Sequence, residues 1–156
     1  MNTLFSSSSL NETLPGVFHA KAWGQDIPED FMNQLIEEAR TNPNRKARLC
    51  LHPNPNELLQ ITYLAFCSPY SDRIHSHPHR PEVLVPVMGQ AKHTTYNGAA
   101  QAISSKIIDG SFPVSISTPK GVWHAIEVLT PSFIMIEIGT GPFLKDSTVF
   151  LHTPEE

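Results

Sequence analysis

Three histidines fall within five residues at His75, His77 and His79, and the segment runs on through Pro81 to Glu82 and Gly89. In an extended chain the side chains at i and i+2 share a face about 7 Å apart, so His75 and His77 can converge on one cation. Two imidazoles alone make a weak site, and Glu82 is placed to add a carboxylate. It stands an odd number of positions after His77, but Pro78 and Pro81 preclude a continuous interior strand, so the chain turns before Glu82 enters the next one. Further on, Pro119-Lys120-Gly121-Val122-Trp123-His124 reads as a Pro/Gly turn that launches a strand carrying a fourth candidate ligand. His77 and His79 form a competing pair. That choice puts Pro78 between the ligands and leaves little chain for the turn, so His75 and His77 are assigned, with His79 as a neighbour of the site. On its own face His124 accompanies Val122, Ile126 and Val128, where a lone histidine is ordinarily a packing residue; the earlier cluster is what makes it a ligand.

Three imidazoles and one carboxylate suit a single divalent transition ion, Fe, Mn, Ni or Zn. Four protein donors leave one or two positions open on a five- or six-coordinate ion. Open positions permit Lewis-acid polarisation of a substrate carbonyl or hydroxyl, or O2 activation at Fe(II). Without a positioned acid or base the same centre only binds a ligand, so a non-catalytic binding or sensor protein with a structural metal stands as the alternative.

The spacings His75-x-His77-x4-Glu82-x6-Gly89 and Pro119-x-Gly121-x2-His124 resemble the two signature motifs of the cupin superfamily. Pro69 and Pro113 stand where the pattern usually has glycine, and Val128 where it often has asparagine; none of these is a ligand. Within the superfamily the chain is similar to the WbuC family of cupin-fold metalloproteins, through Arg48, His52-Pro53, Gln60, Gly141-Pro142-Phe143 and the stretch 150–156, over roughly residues 28–156. The resemblance implies an all-β fold, the cupin double-stranded β-helix or jelly-roll barrel, with a metal held by His75, His77, Glu82 and His124. It also implies an association with surface-polysaccharide (O-antigen) biosynthesis, and no established reaction. The expected activity is that of a metal-dependent cupin acting on a small polar metabolite, a sugar or sugar derivative, by isomerase, epimerase or oxygenase-type chemistry.

The positioning elements follow from periodicity. Residues 58–67 alternate as a strand that puts Gln60 with Thr62 and Leu64 on one face and Tyr63 with Ala65 and Cys67 on the other, and either face can line a pocket. Residues 82–87 continue the sheet. In 90–96 a lysine is rarely buried unpaired, so the Lys92 face sees solvent and His93 points inward, a candidate for proton transfer. Asn97-Gly98 marks a hairpin, and strands are expected over 102–108, 114–117, 122–129 and 133–138. Upstream, Asp26 and Pro28 suit a helix start, and Ile27, Phe31, Leu35 with Met32, Ile36 and Ala39 make an apolar stripe ending near Arg40. This is one amphipathic helix packing outside a sheet. Arg48 and His52 are candidates to hold an anionic or polar ligand, since a guanidinium binds carboxylate or phosphate through two parallel hydrogen bonds, and Gln60 is a third. Residues 1–25 read as a flexible or loosely docked extension anchored by Phe18 and Trp23, with His19 exposed; 26–57 as the helix and a connection on the barrel; 58–156 as the barrel and a tail lying over it.

The bulk numbers bound the partners. With 156 residues the chain is one domain of ordinary size, and a net charge of −4 from 11 Lys+Arg and 15 Asp+Glu gives no basic field for nucleic acid. The 14 prolines fit a turn-rich β domain. Cys50 and Cys67 lie in apolar surroundings without CxxC spacing and read as reduced, buried thiols. No apolar run approaches the ~20 residues of a membrane span, and the first residues lack an export signal. The expectation is a cytoplasmic protein that binds a small molecule, contacts neither nucleic acid nor membrane, and pairs as a homodimer.

Overall fold

A computed structural model describes residues 10–111, 114–144 and 146–152. In chain order the elements are β1 (Leu10–Leu14), β2 (Val17–Ala20), α1 (Phe31–Thr41), β3 (Lys46–Cys50), β4 (Leu59–Cys67), β5 (His75–Ser76), β6 (Glu82–Met88), β7 (Gln90–Tyr96), β8 (Ala102–Asp109), β9 (Ile116–Thr118), β10 (Trp123–Val128), β11 (Ser132–Thr140) and β12 (Val149–Phe150). Seven strands form one sheet in the order β1-β2-β3-β4-β11-β6-β9, and five form the other in the order β12-β5-β10-β7-β8. Neighbours run antiparallel except β2 and β3, which are parallel. The two sheets close into the double-stranded β-helix of the cupin fold, with one helix outside it.

Strand alternation divides the apolar residues between two cores. Leu64 and Phe66 of β4, Leu84, Phe133 and Met135 meet Ala91, Ile108, Ile126 and Val128 of the facing sheet. The other face of β4, with Ala65 and Cys67, joins Leu35, Ile36 and Ala39 of α1 and Phe18. Full burial of residues such as Phe66 and Leu35 stabilises by about 1.5–3 kcal/mol each. The face of β4 left open by periodicity is thereby resolved, since Gln60, Thr62 and Leu64 line the barrel's cavity.

Two expectations are corrected. The helix begins at Phe31 with Asp30 at its cap position, not at Asp26. The carbonyl of Pro28 accepts the Phe31 N–H in a turn that precedes the first helical residue, so the proline initiates the turn rather than the helix. Residues 10–20 are not a loose extension. β2 pairs with β3 through Val17↔Arg48, Phe18↔Leu49 and His19↔Cys50, which extends the barrel sheet by three strands before β4. The physical reason is Phe18, buried to 1% exposure against the helix core, and His19, which is 6% exposed rather than on the surface. Trp23 is half-exposed and donates its indole N–H to Glu57. Residues 1–9 of the expected extension and 153–156 of the expected tail lie outside the described residues.

Between β6 and β7 the chain leaves one sheet for the other across a single residue, Gly89. Its φ of +74° is one that L side chains rarely adopt, and an added Cβ would land on the Ser132 carbonyl oxygen. The glycine therefore sets the corner that carries Glu82 and His93 on consecutive strands of different sheets.

Candidate metal centre and its cavity

His75 lies opposite His124 in the short β5–β10 pairing, so their side chains emerge side by side on the interior face. The ring centroids are 4.4 Å apart. His77 follows directly, and its carbonyl accepts the N–H of Gly121 at 2.9 Å, which docks the Pro119–Gly121 turn against the first histidine segment. Glu82 opens β6 in the other sheet, held between Gly139 of β11 and Thr118 of β9. It is 3% exposed, and its two carboxylate oxygens stand 3.1 Å from His77 Nε2 and 2.8 Å from His124 Nε2. One ring nitrogen from each of His75, His77 and His124 lies within 4.8 Å of the others.

The far side of each imidazole is committed. Nδ1 of His75 is 2.9 Å from the Arg73 carbonyl, that of His77 is 2.9 Å from the Ser147 carbonyl, and that of His124 is 2.9 Å from the Val122 carbonyl. A carbonyl only accepts, so each Nδ1 carries a proton and each Nε2 faces the common centre, where those of His77 and His124 donate to Glu82 when protonated and all three turn a lone pair to a cation when not. This is the arrangement by which outer hydrogen bonds fix a ligating histidine. Burial would raise the Glu82 carboxyl, but hydrogen bonds from His124 and His77 outweigh it and hold the group well below its usual range. Burial would lower His124, yet Glu82 raises it overall; His75, buried next to His124, is lowered. A negative carboxylate facing three oriented imidazoles fits a divalent cation by donor chemistry and by charge. The structure thus brings together His75, His77, Glu82 and His124, while His79 is exposed.

A cavity of about 690 Å³ opens onto His75 and His77. Arg48, His52 and Gln60, expected to orient a substrate, all wall it. Arg48 makes no ion pair among the described residues. Gln60 is more constrained, since its amide nitrogen donates to the carbonyls of Pro55 and Glu57 at 2.9 and 3.0 Å and so braces the turn before β4. His93 points inward at 4% exposure with its ring 5.7 Å from that of His124. It does not wall the cavity, its Nε2 has no hydrogen-bond partner among the described residues, and burial followed by the charge of His124 lowers it to about 4.

Further cavity residues lie beyond the sequence reading. Arg80, 7% exposed, pairs with Glu137 at 3.0 Å and lies 5.3 Å from the Phe143 ring centroid. The Tyr70 hydroxyl donates to Asp72 at 2.5 Å, and the Lys46 ammonium sits 3.9 Å from Asp72 over the ring of Phe66. Burial lowers Lys46 despite Asp72. The signal for Glu137 was present in the sequence, because a lone carboxylate in the run Phe133-Ile134-Met135-Ile136-Glu137-Ile138 must find a buried cation. Tyr70, Asp72 and Lys46 carry no such mark in the sequence, as their meeting depends on tertiary approach.

Residues 27–108 match a family profile described as a domain of unknown function (DUF6016). No relative among curated proteins matches the chain. Among solved structures, the capsular polysaccharide assembling protein CapF from Staphylococcus aureus is similar, with a TM-score of 0.62 and 17% identity over 72% of this chain and 31% of its own. An oxalate oxidase in complex with the substrate analogue glycolate gives 0.54 and 14% over 71% and 57%. Procruciferin, an 11S globulin from Brassica napus, gives 0.51 and 15% over 60% and 23%. The chain spans about a third of the length of CapF. At these identities the likeness is one of fold. Among the described residues no helix is long and apolar enough to cross a membrane.

Proposed function

Since the chain belongs to the family described as a domain of unknown function (DUF6016), we propose its role from the site itself: a metal-dependent cupin of the WbuC-like kind that acts on a small, polar, anionic metabolite. The observation that carries this reading is Glu82 set between the Nε2 atoms of His77 and His124, with the Nδ1 of all three histidines tied to backbone carbonyls. His75, His77, Glu82 and His124 would hold one ion, Fe, Mn, Ni or Zn, which supplies Lewis-acid or redox chemistry when bound.

The cavity supports the substrate class. Lys46 and Arg80 face the carboxylates of Asp72 and Glu137 on its wall, and Arg48 beside them makes no ion pair among the described residues, which favours an acidic ligand. Arg80 and Lys46 already face those carboxylates, so Arg48 is the cation placed to clamp a carboxylate or phosphate, with His52 beside it on the wall. Gln60 keeps that wall in place. His93, held at about 4 by burial and by His124, is uncharged at neutral pH and a weak base, and its place beside His124 keeps it the candidate for proton transfer. A sugar acid, sugar phosphate or nucleotide sugar meets these requirements. The likeness to a capsular polysaccharide assembling protein adds support for surface-polysaccharide chemistry by an isomerase, epimerase or oxygenase-type reaction. The buried free thiols of Cys50 and Cys67 fit a reducing cytoplasm, and the barrel fold is compatible with a homodimer.

A second reading, a ligand-binding protein with a structural ion, is favoured by the burial of Glu82 and His124 behind the cavity wall. Elemental analysis of the purified protein, together with thermal shifts against nucleotide sugars, sugar acids and small carboxylates, tests both. One bound ion, a shift from an acidic sugar and loss of that shift in Arg48→Ala support the proposal. Absence of a first-row metal from wild type and Glu82→Gln alike sinks it. Water-proton relaxation in Mn-loaded protein separates the readings, because a closed centre without exchangeable water leaves only binding.

A further inference from the structure

The same cavity wall carries a second group of donors outside the centre just described. His19 of β2 lies beside Cys50 of β3 in the parallel pairing, and Cys50 lies beside Thr62 of β4 in the antiparallel one, so the three form a row across the sheet. His52 is two residues beyond Cys50. His19, Cys50 and His52 are 6%, 5% and 3% exposed, and all three border the cavity. One donor atom from each lies within 4.8 Å of the others, and the two rings meet edge to face at 5.3 Å.

We propose that His19, Cys50 and His52 form a second cation site, for a borderline-soft divalent ion of the zinc class, on the wall of the cavity that the first centre adjoins. Thiolate with imidazole is the donor mixture that selects such an ion over Mg2+ or Ca2+. The second contacts of the donors agree. His19 Nδ1 lies 3.0 Å from the His52 carbonyl, to which it donates, leaving Nε2 free. His52 Nδ1 stands 3.1 Å from both the carbonyl and the N–H of Ile61; accepting from the N–H it would keep its proton on Nε2, and a cation at Nε2 selects the other tautomer, in which Nδ1 donates to the carbonyl. Burial holds the Cys50 thiol up, and Thr62 Oγ1, which donates to Cys50 Sγ at 3.7 Å, opposes that rise, so it is the cation that draws off the proton. Three protein donors leave the fourth tetrahedral position toward the cavity, the composition of a zinc site that binds water or a ligand rather than one that only braces a fold.

The test uses the full chain stripped of metal and titrated with Zn2+ alone, then with Co2+. Wild type is expected to take two equivalents of Zn2+ and, with Co2+, to show a thiolate-to-cobalt charge-transfer band in the near ultraviolet. Cys50→Ser and His19→Gln are each expected to fall to one equivalent and lose the band. Cys67→Ser and Glu82→Gln retain it, which separates this site from the first centre even if that centre binds nothing. Thr62→Val is expected to weaken the thiolate site by about 10–100-fold. A wild-type chain without the band, or a band that survives Cys50→Ser, overturns the proposal. So does loss of both equivalents in Cys50→Ser and His19→Gln together, since the two sites would then not be separate.

Discussion

Glu82 concentrates the charge logic of the site in one side chain. It is a buried carboxylate kept ionised by two imidazoles whose other nitrogens are already spent, so its replacement removes a charge without changing shape. Glu82→Gln is expected to weaken binding of the ion by about 100-fold or more, since loss of an outer partner alone costs about 10–100-fold; competition against a metal-sensitive dye reads this. His93 gives a pH prediction for the metal-free protein. Its value in the fold is about 4 against 6.5 unfolded, so between those values the unfolded chain binds more protons and stability falls as pH falls. The contribution is present above about pH 6.5 and is lost on acidification toward pH 4. His75 shifts in the same direction and His124 in the opposite one, so the comparison of wild type with His93→Gln isolates the residue. From pH 7 to 5, wild type is expected to lose about 2 kcal/mol more than the variant in urea unfolding. Equal pH slopes refute the placement of His93 as a buried neutral base.

At the scale of elements, Gly89 and the Arg80–Glu137 pair decide how the strands meet. Gly89→Ala forces a side chain into the left-handed region, at about 1–2 kcal/mol, and onto the Ser132 carbonyl, so a total loss above about 2 kcal/mol is expected from denaturant midpoints. Glu137→Gln leaves Arg80 buried beneath Gly139 with its charge uncompensated, and about 3 kcal/mol of destabilisation is expected. The double variant Arg80→Met, Glu137→Leu recovers most of that loss if the pair is structural. The strands of the barrel are legible because β6 and β7 come near to alternation while β4, β10 and β11 are short apolar runs bounded by turn residues, and the cation cluster is legible because His75, His77 and Glu82 lie within one short segment. β1 and β2 escaped notice for a physical reason. β1 buries only Leu10, and the parallel partner of β2 comes after α1, so neither local periodicity nor a hairpin announces the pairing. The same distance hid His19 from Cys50. The helix starts at Phe31 rather than at Asp26 because Asp26 and Pro28 carry start signals that a turn uses equally well.

For the whole molecule, the candidate ligands come from both sheets: His75 and His124 from the five-stranded one, Glu82 from the seven-stranded one. An ion held by them would therefore couple the two layers. At a free-ion concentration about 100 times Kd the fold gains about 2.7 kcal/mol, a rise in Tm of about 5–10 °C in a domain of this size that a chelator reverses. Scanning calorimetry with and without the ion measures it, and a Tm indifferent to metal refutes the coupling. The bond from His77 to the Ser147 carbonyl adds an order in time. A ribosome delivers every candidate ligand before it delivers Ser147, and until then the His77 ring is free to turn. An ion met before that bond forms would be held loosely and exchange, so competition between metals would be decided once Ser147–Phe150 is laid against β5.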